Sequence, residues 1–297
     1  MKRTASLAFA VAAAGIGFFS LMDAAMKDLV IALGAYNAVI WRNMIGSVIT
    51  GALFVGTKTA WPRIQVLRLH AWRSAVVAVM AISFFWALGR LPLAEAIGLS
   101  FIAPVIALFL AAILLGEKIG REAIIASIAG LGGVIVILFG KFSGDYDAEA
   151  FWGVAAVLFS AVVYAYNLVL ARQQAQVAGP VEIAFFQNLL VSVVLMLAGP
   201  WLLTPFALDK LPMLTGAAAL AIIALLLLSW AYARAEAQIL IPVEYTAFVW
   251  AALFGWMFFA EPVTVWTVAG TALIVAGSLV AARVKTHPVN HVEIASV

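Results

Sequence analysis

Arg42 stands inside a stretch that carries no other charge from Leu29 to Thr57. A guanidinium cannot lose its proton in a protein, and inside an apolar medium an ionised side chain is costly unless it is paired or wet. Asp23, at the far end of the preceding apolar run, is within reach of being its partner. The two can clamp neighbouring helices as an ion pair, or they can present charge to the carboxylate of a ligand. Glu244 lies five residues into a later apolar run, beside Pro242 and Tyr245. It can bind an amine or take up a proton, or it can be an interfacial carboxylate wetted by headgroups. Around these charges the apolar runs hold hydroxyls at Ser20, Ser83, Ser100 and Ser160, and aromatic faces at Phe84, Trp86, Tyr164, Tyr245 and Trp250. Buried hydroxyls often bond only their own backbone, and most aromatics of such a chain serve packing or the interfacial belt. Those twelve side chains are the candidate binding set.

The elements that must position them follow from composition. Of 297 residues, 66% are hydrophobic and 10% charged, against about 25% charged in a soluble domain. So few charges cannot cover a soluble sphere, and the solvent must be mostly lipid. With no cysteine there is neither a disulfide nor a thiolate nucleophile. A formal charge of +3 is too small to imply nucleic acid. His70, His287 and His291 are assigned to loops or the tail, and no HExxH or carboxylate cluster offers a metal site. Gly130 to Gly133 is a glycine run with no following lysine, so no nucleotide-binding loop is expected. No cofactor and no enzymatic chemistry are expected.

A helix needs about 20 apolar residues to cross the hydrocarbon core. Ten charge-poor runs satisfy this between residues 4 and 282, the third borrowing a snorkelling Arg73. Assigning alternate loops to two sides places 12 basic residues on one, 4 on the other (Lys27, Arg90, Lys141 and Lys210), and leaves Arg42 within a span. The positive-inside rule then puts both termini in the cytoplasm, with the acidic loop of Asp145, Asp147 and Glu149 outside.

The chain also repeats itself. Trp86-Ala87-x-x-Arg90 returns as Trp230-Ala231-x-x-Arg234, 144 residues on, and Glu117 matches Glu261 at the same spacing. At 145, Trp41-Arg42-Asn43-Met44-Ile45-x-Ser47-Val48 faces Phe186-Gln187-Asn188-Leu189-Leu190-x-Ser192-Val193. Each unit holds five spans, an odd number, so the second must enter the membrane from the opposite side. The expected fold is therefore all-α, a polytopic membrane protein of ten helices in two inverted five-helix repeats. Its divisions are 1–140, an external acidic linker 141–149, 150–284, and a cytoplasmic tail 285–297. Inverted repeats are the architecture of secondary transporters, with a ligand site near the midplane between the units.

Two five-helix units, the fourth helix of each ending in Glu, resemble the drug/metabolite transporter superfamily with paired EamA-type domains. The residues that carry the resemblance are Pro104-Val105-x9-Leu115-Gly116-Glu117 and Phe259-Ala260-Glu261 with Gly270 and Gly277. Two positions depart from the family's pattern: Phe248 stands where the first unit has Pro104, and Ala260 where the family usually has Gly. Size and layout are similar to bacterial inner-membrane exporters of aromatic and other amino acids. The segment Ile241 to Thr246 also resembles carriers of riboflavin or S-adenosylmethionine. The resemblance implies a cavity ringed by spans 3, 4, 8 and 9 with 1 and 6. Spans 2 and 7, with Asn43 and Asn188, are expected at the periphery of their units. Gly98, Pro104 and Pro242 are the expected hinge points. The expected partners are a small-molecule substrate and the lipid bilayer, with no nucleic acid and the chain acting as a monomer. A lipid-handling protein or an integral-membrane enzyme is the competing class. It would need a basic side groove or converging polar chemistry, which the sequence lacks.

Overall fold

The structure is a computed structural model that describes residues 2–103, 105–107, 109–110, 121–142, 148–232 and 245–282. Pro104, Glu117, Pro242 and Glu244 lie outside the described residues. Among the described residues there is no strand, and there are ten helices of eight residues or more. They are α1 (Lys2–Leu33), α2 (Ala35–Gly56), α3 (Ile64–Leu88), α4 (Leu93–Ser100), α5 (Arg121–Phe142), α6 (Ala148–Ala175), α7 (Pro180–Met196), α8 (Leu211–Tyr232), α9 (Thr246–Phe259) and α10 (Val265–Ala282). Five stretches are long and apolar enough to cross a membrane by length and composition: Leu7–Leu33, Ala35–Gly56, Ile64–Leu88, Ala148–Ala175 and Leu208–Leu228. The other apolar helices are shorter. Large apolar side chains such as Val48, Trp201 and Val265 point outward, more than 70% exposed, as a lipid-facing surface requires.

The helix pairings obey one exchange rule. Adding five to the number of each first-unit helix, and subtracting five from each second-unit helix, turns every major contact into another. The pair α1–α8 becomes α3–α6, α2–α8 becomes α3–α7, and α1–α9 becomes α4–α6, while α2–α7, α4–α9 and α5–α10 map onto themselves. Each self-paired contact is antiparallel. Gly46 meets Asn188 while Gly51 meets Phe185, Leu93 meets Gly255 while Gly98 meets Phe248, and Gly133 meets Gly270 while Gly140 meets Trp266. Equivalent helices can run antiparallel across their own axis only if that axis is perpendicular to them. The two units are therefore inverted with respect to each other. Side chains obey the same rule: Trp41 packs edge-on against Phe206 at 4.9 Å, and their counterparts 145 residues on and back, Phe186 and Trp61, do so at 5.2 Å.

Glycines set the closest approach. A Cβ at Gly133 would lie 2.5 Å from the Gly270 carbonyl oxygen, and one at Gly270 would lie 2.5 Å from that of Gly133. Small residues let backbones approach this closely, so α5 and α10 are held together within the chain.

The fold corrects three readings. His70 is not in a loop: α3 begins at Ile64 and buries it completely, because the helix starts ten residues before the charge-free run does. Lys27 is not an outer-loop cation, since α1 runs on to Leu33 and carries it 5% exposed into the core. Helices α2 and α7 are not peripheral. They meet at the pseudo-twofold axis, where Asn188 fills the space left by Gly46.

Candidate functional site

A cavity of about 540 Å³ opens between the two units. It takes lining residues from α1, α2, α3, α4, α6, α7 and α8, and none from the described part of α9. This changes the expected ring of helices: α2 and α7 contribute Arg42, Asn43, Gln187 and Asn188, because the axis that joins them also faces the cavity.

Asp23 and Arg42 both line it, half-buried. They do not form an ion pair within 4.0 Å, and no described residue gives either one a salt bridge. Arg42 instead donates from Nη1 to Met22 Sδ at 3.4 Å and lies over the Phe85 ring, 5.5 Å from its centroid. A sulfur acceptor and a π face are weak partners for a guanidinium, so most of its hydrogen-bonding capacity is available to a ligand. Phe84 lines the cavity and packs edge-on against Phe85 at 5.4 Å. Tyr164 lines it from α6. Ser100 and Ser160 also line it, but their hydroxyls donate to backbone carbonyls, Ser100 to Ala96 at 2.8 Å and Ser160 to Met80 at 3.0 Å.

The other expected residues lie elsewhere. Ser20 is buried within α1, off the lining. Ser83 donates to Val79 of its own helix at 2.9 Å. Trp86 stacks under Arg90, 3.5 Å from guanidinium to ring centroid. Tyr245 packs on Phe101 at 5.2 Å, and Trp250 packs on Phe254 at 5.7 Å and against Gly17. Gly98 is where α4 comes closest to Thr271 of α10.

Two polar assemblies lie outside the expected set; the sequence suggests that Glu261 takes hydrogen bonds from a neighbouring turn, but not its partner Lys27. Toward the α3–α4 corner, Lys27 forms an ion pair with Glu261 and donates to the Leu91 carbonyl at 2.5 Å, while Glu261 Oε2 accepts from the Leu93 amide at 2.7 Å. Glu261 thus gathers hydrogen bonds from a neighbouring turn, which suits a carboxylate at the unfavourable end of a helix dipole. At the other end, Arg73 does not snorkel to the interface. It lines the cavity, donating from Nε to Asn167 Oδ1 at 2.9 Å and from Nη1 to Gln174. Gln174 also meets His70 Nδ1, and His70 Nε2 meets Glu182 at 3.0 Å. Because Arg73 is a donor only, Gln174 must present its oxygen to Arg73 and its amide hydrogens to His70.

The sequence profile of the EamA-like transporter family matches this chain twice, over residues 5–139 and 151–283. The chain belongs to the EamA-like transporter family. It is similar to the pseudopaline exporter CntI of Pseudomonas aeruginosa, 27% identical over 269 residues that cover 90% of this chain and 93% of that one. It is similar to a riboflavin transporter of Brucella anthropi, 24% identical over 80% of this chain and 84% of that one. An uncharacterized transporter of Helicobacter pylori is 29% identical over 62% of this chain and 63% of its own length. A solved crystal structure superposes with a TM-score of 0.62 over 95% of this chain and 98% of that chain, at 19% identity, a likeness of fold. This EamA-like chain is therefore a polytopic membrane transporter, and the two profile matches follow the five-helix units.

Proposed function

We propose that this EamA-like transporter is a monomeric secondary carrier that exports small amphipathic metabolites, chiefly amino acids and aromatic ones among them, across the bacterial inner membrane. The observation that carries this reading is the pair Asp23 and Arg42. They are opposite charges on one cavity wall, neither neutralised by a contact ion pair among the described residues, with Phe84, Phe85 and Tyr164 beside them. A zwitterion sets its ammonium at Asp23, its carboxylate at Arg42, and its side chain among the aromatic rings. Glu244 stands as a second carboxylate for the ammonium. Alternating access arises from rocking of α3, α4, α8 and α9 against the remainder, bending at Gly98, Pro104 and Pro242.

Purified protein in liposomes loaded with unlabelled amino acid should accumulate labelled phenylalanine and threonine by counterflow. Labelled riboflavin is tested in parallel, because one relative bears that name. Exchange of riboflavin with none of any amino acid would overturn the amino-acid reading in favour of a flavin carrier. An imposed pH gradient in the same vesicles reports whether protons move with the substrate.

A further inference from the structure

The cavity holds a second guanidinium that the amino-acid reading does not use. Arg73 lines the same space as Arg42. Its described partners are the neutral side-chain oxygens of Asn167 and Gln174, so no described carboxylate balances its charge. The two cations sit at different depths. Arg42 is level with Phe85, and Arg73 is twelve residues earlier on the same helix, about 18 Å of helical rise away.

The internal repeat tests whether the fold itself needs charge at these places. At a spacing of 144 Arg73 corresponds to Ala217, and at 145 Arg42 corresponds to Gln187. Gln187 lines the cavity, and Ala217 is fully buried in α8. The same architecture is thus built on one side with neutral groups. The charges on the other side are additions to the scaffold, and both cations of the set face the same hollow.

We infer that the transported molecule is elongated and carries two separated acidic groups, with Arg73 as the specificity-determining residue for the distal one. This rests on the reading of the cavity as the substrate site, with the ammonium and first carboxylate at Asp23 and Arg42. A carboxylate arriving at Arg73 replaces two neutral acceptors with a charge-assisted, two-toothed one, a stronger bond. The apolar middle of the molecule lies along Val77, Met80, Ala81 and Phe84, which line the cavity between the two guanidinium groups. A free amino acid satisfies only one end.

The probe is γ-L-glutamyl-L-phenylalanine, which has an amino-acid head, an aromatic ring and a distal carboxylate. Its control is the same molecule with that distal carboxylate as a carboxamide. In counterflow the acid is expected to show a KM at least tenfold below that of the amide, and Arg73→Gln should bring the two KM values together. If Arg73 only staples α3 to α6, the substitution weakens acid and amide alike and the ratio survives, which overturns the inference. Equal KM values for acid, amide and free phenylalanine in the unsubstituted protein also overturn it, while leaving the amino-acid reading intact. Exchange of the acid without exchange of phenylalanine supports it and narrows that reading. Should no compound exchange, the amino-acid reading fails. Calorimetric titration of the purified unsubstituted protein with acid and amide then decides the inference alone, with equal affinities overturning it.

Discussion

An ionised side chain that faces a cavity inside a bilayer is either wet or waiting for a partner. Asp23 and Arg42 are near enough to feel each other and too far apart to pair, so a substrate with both charges can separate them further without breaking a bond. Asp23→Asn and Arg42→Gln should each raise the KM for phenylalanine roughly tenfold to a hundredfold, the worth of one charged hydrogen bond. The double variant should be impaired at least as much as either single one if the pair binds substrate. Recovered transport in the double variant would instead mark the pair as a clamp between α1 and α2. Ala260 makes a separate case. It closes α9 in the left-handed region at φ 52°, with its amide donating to Trp256 and the Glu261 amide donating to Gly255. A Cβ is disfavoured there, which explains why the family usually has glycine at this position. Ala260→Gly should raise stability by about 1 kcal/mol, read as a higher midpoint of thermal unfolding in detergent. That Arg42 and Asp23 line the cavity was legible because a charge at or in an apolar run announces itself. Arg73 was not, because it lies at the edge of its run and its acceptors come from α6, 94 and 101 residues away.

At the level of helices, the repeat and its inversion could be read from spacing and parity alone. Packing partners could not. The sequence expects α2 and α7 at the periphery of their units, whereas they meet each other in the middle of the fold, Asn43 donating to Val39 at 2.8 Å and Asn188 to Ala184 at 2.8 Å. Amides that satisfy themselves on their own helix are free to be buried. Helix starts were misjudged for a similar reason: counting from charge to charge clips α3 and α1, since Arg68, Arg73 and Lys27 are helical despite their charge. The α5–α10 seam gives the clearest test at this scale. Gly133→Ala and Gly270→Ala should each destabilise the protein by about 1–3 kcal/mol, the usual cost of overpacking. Both methyl groups wedge the same crossing open, so the double variant should lose less than the sum. Strict additivity in thermal unfolding would mean that the two glycines do not share one contact.

Over the whole molecule, the uneven distribution of basic residues between the two sides is the basis for orientation. Since the chain has no cysteine, single cysteines report sidedness without background. Asp209→Cys, in the exposed turn before α8, should react with an impermeant maleimide in intact cells. Asn290→Cys, in the tail, should react only after the membrane is opened. The reverse pattern would invert the topology and with it the proposed direction of export.

The bond between Lys27 and Glu261 joins residues 234 positions apart. During synthesis the lysine reaches the bilayer first. At about 5–20 residues per second, it must wait on the order of ten to fifty seconds for its carboxylate. Until then Lys27 has only Asp23 and Asp28 of its own helix near it in sequence. A chain cut short before its ninth helix never neutralises it. The ion pair thus closes only when nearly the whole chain has been made, tying the first helix to the turn that follows the ninth.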